Sequence, residues 1–141
     1  VAAIHDYPTP LIIIDMGTAT TMTVIDREAR VLGGAIIPGV GISLEALANG
    51  TSQLPHISLD APKKCISTDT VEAMRSGSVY GTAAMLDGMI ERMEAGEPAA
   101  VIATGGLGGC IIPYCRREIT YDKNLLLNGL WALYQKNKRK R

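Results

Sequence analysis

The chain has few aromatic residues, few cysteines and no excess of charge of either sign. Aromatic side chains make up 4% of its 141 residues, and phenylalanine is absent. Lysine and arginine total 14, as do aspartate and glutamate, so the formal net charge is zero. No overall field would therefore draw the chain to nucleic acid or to a membrane surface. We expect a small molecule or another protein as the partner, and no nucleic acid.

Metal-binding and disulfide patterns are also missing. Cys65, Cys110 and Cys115 are odd in number and include no Cys-x-x-Cys pair, which argues against both a disulfide framework and a zinc centre. No apolar run approaches the length of a membrane span, and residues 1–4 do not resemble a signal peptide. We therefore expect a soluble, cytoplasmic protein without a membrane partner.

Aliphatic residues and glycine dominate the composition. Hydrophobic residues form 47% of the chain and there are 15 glycines, a mixture typical of α/β domains that bind nucleotides. At this length we expect one hydrophobic core and one main domain. Residues 1–10 are predicted to be the tail of a preceding element, residues 11–135 the main domain, and residues 136–141 a solvated basic tail.

The main domain is predicted to begin with three strands. The aliphatic run at residues 11–14 suits a buried strand, and residues 22–26 and 31–37 continue as two more. Short polar turns between them predict an antiparallel meander. The pair Gly33-Gly34 within the third strand indicates a bulge or a close backbone approach.

Helices are predicted to follow the meander. Ser43 is a candidate cap for the first, with Glu45 in its first turn. A long helix capped by Asp69 or Thr70 is predicted to end near Ala95. It contains three glycines that would allow close packing against a strand or a partner: Gly77, Gly81 and Gly88.

The last part of the chain is predicted to alternate between strand and helix. Residues 99–103 form a short apolar run typical of a buried strand, and Thr104-Gly105-Gly106 predicts a sharp turn after it. Residues 107–115 and 125–134 are predicted to be helices.

The segment from Asp15 to Thr21, D-M-G-T-A-T-T, follows directly on the first buried strand. A strand that ends in a carboxylate and then turns through glycine and small hydroxyl residues lets backbone N–H groups and a threonine hydroxyl approach a polyphosphate. The carboxylate can hold a cation. The same pattern also fits an ordinary Asp-x-Gly hairpin turn, and both interpretations remain open on this segment alone.

Several motifs in order resemble the type III pantothenate kinase family. They include the D-M-G-T turn, then G-G-A-I-I-P-G at residues 33–39, T-V-E-A-M-R-S-G at residues 70–77 and I-A-T-G-G-L at residues 102–107. The resemblance implies an α/β fold, namely one actin-like (ribonuclease H-like) lobe. Its mixed sheet would combine the three-strand antiparallel meander with parallel strands, flanked by helices.

The resemblance also implies roles for individual residues. Asp15 would bind a monovalent cation, potassium or ammonium, with magnesium accompanying ATP. Thr70 would contact pantothenate. The ATP-binding residues would be Gly17, Thr18, Ala19, Thr20, Gly105 and Gly106.

Members of this family phosphorylate pantothenate with ATP, the first step towards coenzyme A. The resemblance also implies a homodimer. Their first lobe carries D-x-G-N-T and G-A-D-R motifs, neither of which occurs here. We therefore expect this chain to be the C-terminal lobe, with the catalytic base upstream of Val1, no catalytic residue within the chain, and no activity alone. Two alternatives are a non-catalytic actin-like interaction or regulatory module and a kinase of the same superfamily with another acceptor.

Overall fold

Five strands form one mixed sheet in a computed structural model that describes residues 1–138. The strand order is β3-β2-β1-β4-β5, with β1 antiparallel to β2, β2 antiparallel to β3, and β4 parallel to both β1 and β5. The strands are β1 (Leu11–Met16), β2 (Ala19–Ile25), β3 (Val31–Pro38), β4 (Ala100–Thr104) and β5 (Thr120–Tyr121). The predicted meander and the mixed sheet are confirmed.

Helices cover both faces of this sheet. They are α1 (Ala2–Asp6), α2 (Val40–Gly50), α3 (Thr70–Glu94), α4 (Gly108–Ile111) and α5 (Leu125–Lys138), with a 3-10 turn at Ile112–Tyr114. No helix within residues 1–138 combines the length and the apolar composition needed to cross a membrane.

Alternation along β1 divides the core into two layers. Ile12, Ile14 and Met16 are buried in the layer formed with α3, whereas Leu11 belongs to the layer formed with α1 and α5. Successive residues of a strand point to opposite faces, so this alternation follows from the period of two. Asp15 therefore lies on the α1/α5 face of the sheet, opposite its neighbour Met16.

In β3, Gly33 is required by its own backbone conformation and Gly34 by the neighbouring strand β2. Gly33 has a φ of +135°, and a Cβ at Gly34 would lie 1.8 Å from the carbonyl oxygen of Met22. The pairing of β2 with β3 also shifts register between Val24 and Ile25. Both the predicted close approach and the irregularity in the strand are confirmed.

The start of α2 differs from the prediction. Gly39 is the N-cap, and the helix begins at Val40, so Ser43 lies within the first turn and its N–H donates to the Gly39 carbonyl. Glu45 lies beyond that turn, which contains no acidic residue. The helix begins earlier than predicted because only Gly39 separates it from Pro38, the last residue of β3.

The long helix α3 begins and ends as predicted. The Asp69 carboxylate accepts a hydrogen bond of 2.9 Å from the Glu72 N–H, and Ala95 ends the helix with a left-handed backbone. Close packing of its glycines against a strand is not observed. A Cβ at Gly77 or Gly81 would meet no atom within 4 Å, so both face open space.

The two ends of the chain also differ in part from the predicted boundaries. Residues 2–6 form α1, whose Ala2 and Ala3 are buried against α5, so this segment packs into the core. Residues 136–138 continue α5, which the prediction ended at residue 134, and the rest of the predicted basic tail, residues 139–141, lies outside the described residues. The predicted helix at 107–115 is α4 followed by the 3-10 turn, and β5 was not predicted.

Candidate functional site

The hairpin between β1 and β2 forms the first wall of a small cleft. The strands pair up to Met16 and Thr20, which leaves Gly17 and Thr18 exposed at the tip. The turn is closed by the Gly17 N–H, which donates a hydrogen bond of 3.1 Å to the Ala19 carbonyl. The Thr18 hydroxyl is thus presented at an exposed, narrow turn.

The first turn of α2 forms the second wall. Gly39 is buried against the hairpin, and a Cβ there would lie 2.1 Å from the Thr18 carbonyl oxygen and 2.9 Å from that of Gly17. The first N–H groups of a helix have no partner within it and carry the positive end of its dipole. Because Gly41 and Ile42 lie in this first turn, those N–H groups begin beside the hairpin tip.

The exit of β4 forms the third wall. Gly105 has a φ of +97°, and a Cβ there would lie 2.6 Å from the carbonyl carbon and oxygen of Met16. Only glycine allows both this backbone conformation and this approach. The Leu107 N–H also points to the Met16 carbonyl, at 3.5 Å. The turn after β4 is therefore packed directly on the end of β1.

Together these walls enclose a cleft of about 390 Å³, lined by Met16, Gly17, Thr18, Gly41, Ile42, Gly106 and Leu107. The lining combines backbone groups, one hydroxyl and apolar side chains, with no titratable side chain among them. Glycines leave backbone N–H groups accessible, and such groups bind phosphate oxygens well. The cleft is suited to an anionic group next to a flat or apolar one.

Three of the predicted ATP-binding residues line this cleft: Gly17, Thr18 and Gly106. Gly105 supports the turn beside it. Thr20 does not reach the cleft, because its side chain is 1% exposed within the core, and Ala19 is half-buried in β2. A period-two strand places Thr20 on the inner face with Met16, which the sequence motif alone did not distinguish from a surface position.

Asp15 lies close to the hairpin but faces another cavity. Its Oδ1 atom is 3.7 Å from where a Cβ of Gly17 would lie, yet its side chain lines a cavity of about 270 Å³ with Thr104 and apolar residues of α1 and α5. Within residues 1–138, Asp15 forms no ion pair, and no group of three or more His, Cys, Asp or Glu is assembled. One carboxylate fits a weakly held monovalent cation whose other ligands come from elsewhere, since divalent sites usually gather more oxygens.

Thr70 is not brought to the cleft. It lies exposed at the first turn of α3 and lines a groove of about 620 Å³ between α2 and α3, which shares no lining residue with the cleft. Within the described chain, the predicted cation, phosphate and pantothenate residues thus line three separate cavities. The sheet and α2 lie between them.

The sequence did not identify several residues that shape the cleft. Gly41, Ile42 and Leu107 line it, and Gly39 permits α2 to approach the hairpin. Tyr121 on β5 was also missed, although its hydroxyl donates a hydrogen bond of 2.7 Å to the Gly105 carbonyl. The Pro-Gly pair at the end of β3 marked the position of Gly39, but the contact of Gly39 with Thr18 depends on tertiary packing.

Comparison with known proteins finds that the chain is similar to members of one family. A family model described as type III pantothenate kinase matches residues 1–92. The chain is similar to a type III pantothenate kinase from Exiguobacterium sibiricum, with 46% identity over 98% of this chain and 55% of the relative. It is also similar to one from Brevibacillus brevis, with 41% identity over 97% of this chain and 54% of the relative.

A solved structure supports the fold independently. The crystal structure of a conserved Campylobacter jejuni protein assigned to the Baf family of transcriptional activators superposes with a TM-score of 0.69 and 23% identity. The match covers 98% of this chain and 62% of that protein. The predicted actin-like fold is confirmed, and the chain spans about half the length of the curated relatives it matches.

Proposed function

The chain belongs to the type III pantothenate kinase family, and on that premise we propose that the complete protein transfers the γ-phosphate of ATP to the primary hydroxyl of pantothenate. This is the first step of coenzyme A biosynthesis. The single observation that carries the proposal is the cleft, in which the hairpin tip, the start of α2 and the turn after β4 meet. These are segments of three different elements, and each contributes backbone to one cleft of about 390 Å³.

The cleft would hold the phosphates of ATP on its hairpin side. The Thr18 hydroxyl and the N–H groups at the start of α2 would donate hydrogen bonds to phosphate oxygens and would offset their negative charge. Gly106 lies across the cleft, where the absence of a side chain would leave room for the ribose or the base. This chain's contribution is thus to grip and orient the nucleotide.

We assign the cation to Asp15 and pantothenate to the region of Thr70. A monovalent cation beside the hairpin would offset nucleotide charge, and Asp15 is the carboxylate next to the hairpin tip. Magnesium would accompany ATP. Because Thr70 is separated from the cleft within this chain, we propose that its groove is completed by a second subunit of a homodimer. The open face of α3 at Gly77 and Gly81 is the surface available for that contact.

The general base is proposed to lie in the part of the complete protein outside this chain. No Asp, Glu or His lines the cleft described here, so proton abstraction from the acceptor hydroxyl needs a group from elsewhere. On this proposal residues 11–135 form the main body of the C-terminal lobe, and residues 1–10, whose helix α1 packs on that body, connect it to the part before. The setting would be the cytoplasm, where ATP is available.

The test is potassium-dependent phosphorylation of pantothenate by ATP, measured for this chain and for a version extended to the full length of its relatives. We expect activity only in the extended protein. Activity in neither form, with the extended protein folded and binding ATP, would favour another acceptor or a non-catalytic actin-like module.

Two variants of the extended protein test the site residues. Thr18→Ala should raise the KM for ATP by about 10- to 100-fold, since a hydrogen bond to a charged group contributes about 1.5–3 kcal/mol. Asp15→Ala should abolish the activation by potassium while ATP still binds. Thr68→Ala is the matched control, because Thr68 is exposed and lies outside the cleft. If neither change weakens ATP use, the assignment of the hairpin is wrong.

A further inference from the structure

Tyr121 holds the turn after β4 but does not line the cleft. Its hydroxyl donates a hydrogen bond of 2.7 Å to the Gly105 carbonyl, and the Gly108 N–H donates a second one of 3.3 Å to the same oxygen. The residue lies on the short edge strand β5, which pairs with β4 at Ala103. A side chain 16 residues further along the chain therefore fixes the orientation of the Gly105 peptide.

The Tyr121 ring also packs against the start of α4. A Cβ at Gly108 would lie 2.4 Å from the ring, so the ring rests directly on that backbone. At Gly109 the nearest ring atom would be 3.6 Å away, an ordinary van der Waals distance. The ring and the hydroxyl thus hold residues 105 and 108, and the cleft-lining residues Gly106 and Leu107 lie between these two points.

This turn is held by the end of β1 as well. On its inner side it is limited by Met16, whose backbone lies 2.6 Å from where a Gly105 Cβ would be. A glycine turn is otherwise free to adopt many backbone conformations, and ordering it on binding would cost affinity. Support from both sides removes that cost before a ligand arrives.

We propose that Tyr121 is a positioning residue for nucleotide binding, which sets the shape of the Gly105–Leu107 turn without touching the nucleotide. The proposal rests on the assignment of the cleft to ATP. It concerns the nucleotide alone, because the Thr70 groove shares no lining residue with this turn.

Tyr121→Phe in the full-length protein removes the hydroxyl and keeps the ring. We expect the KM for ATP and the dissociation constant of a fluorescent ATP analogue to rise about fivefold, the effect of one ordinary hydrogen bond. The KM for pantothenate should stay within twofold. Tyr7→Phe is the matched control, because it also deletes one tyrosine hydroxyl, which bonds to Asp122 next to β5 and does not reach the turn.

A second pair of variants moves the ring instead of removing its hydroxyl. Gly108→Ala places a methyl group where the Tyr121 ring lies and should weaken ATP binding in the same direction, whereas Gly109→Ala should leave it unchanged. If the role of Tyr121 were merely structural, Tyr121→Phe and Gly108→Ala would lower the melting temperature and the active fraction without separating the KM for ATP from that for pantothenate.

Outcomes for the proposed function and for Tyr121 can be told apart. If the wild-type protein binds the ATP analogue but does not phosphorylate pantothenate, another acceptor or a non-catalytic module is favoured, and the analogue's dissociation constants still decide the role of Tyr121. If Tyr121→Phe and Tyr7→Phe bind ATP equally well, the positioning role is refuted. If the wild-type protein binds no nucleotide, both proposals fail.

Discussion

Gly39→Ala tests whether the approach of α2 to the hairpin builds the cleft. The backbone of Gly39 has φ −65° and ψ 154°, values that alanine adopts without strain. The need for glycine therefore comes entirely from contact: a Cβ would lie 2.1 Å from the Thr18 carbonyl oxygen and 2.8 Å from its carbon. Backbone atoms have no alternative rotamer, so either the hairpin or the start of α2 must move.

The expected cost follows from that distance. To reach even 3.0 Å, which is still tighter than ordinary contact, the helix and the hairpin must separate by about 0.9 Å. Overpacking costs about 1–3 kcal/mol, and this case lies at the upper end because no flexible group relieves it. At about 2–4 °C per kcal/mol for a protein of 150–250 residues, the melting temperature should fall by about 6–12 °C.

Function should be affected more than stability. The displaced residues border the proposed phosphate site, and a misplacement of about 1 Å can cost about 100-fold in rate. We expect kcat/KM for ATP in the full-length protein to fall by about that factor, measured by a coupled kinase assay beside thermal unfolding.

Gly50→Ala is the control for this variant. It lies at the other end of α2, where a Cβ would meet no atom within 4 Å, so it should lower neither the melting temperature nor kcat/KM. If Gly39→Ala behaved like Gly50→Ala in both assays, the contact between α2 and Thr18 would be wrong, and so would the described cleft.

Three further predictions concern the supports of the fold. Hydrogen bonds from Arg117 hold the pKa of Glu94 below its ordinary value of 4.5, so this pair stabilises the fold above that pH and the stability is lost as pH falls through the lowered pKa. Glu94→Gln should therefore flatten the fall in melting temperature between about pH 5 and pH 3, and an unchanged slope would refute the pairing. Burial, with a smaller contribution from the Asp87 carboxylate, raises the pKa of the Cys115 thiol to about 11, so only the two exposed cysteines should react with a thiol reagent at pH 8 before unfolding. Asp69→Ala removes the cap of α3 and should cost about 1 kcal/mol in urea unfolding; no loss would show that the N–H at Glu72 finds another acceptor.

Much of the fold was predictable because its signals are local. The aliphatic run of β1, the polar turns of the meander and the Asp69 cap each depend on neighbours within a few residues. The prediction was wrong where contacts between residues far apart in the sequence determine the position of an element. The N-cap of α2, Gly39, packs against the hairpin at Thr18, and β5 is two residues long and exists through its pairing with β4.

The residues of the candidate site also fall into those predictable from local motifs and those whose placement depends on tertiary contacts. Gly17, Thr18 and Gly106 were identified from short motifs and do share a cleft. The burial of Thr20 depends on which face of β2 meets the core, a consequence of the strand period that a motif does not express. Thr70 was identified with the others, yet its groove is separate within this chain.

The sequence by itself determined the family and the α/β class, and it predicted which residues are suited to bind a phosphate, because those depend on residue types in a set order. Only the tertiary structure decided which of them meet. The cleft exists because α2 and the turn after β4 both approach the hairpin within distances that glycine alone permits, and those approaches join residues far apart in the chain. The support of that turn by Tyr121 was decided in the same way, since only the pairing of β5 with β4 brings its hydroxyl to the Gly105 carbonyl.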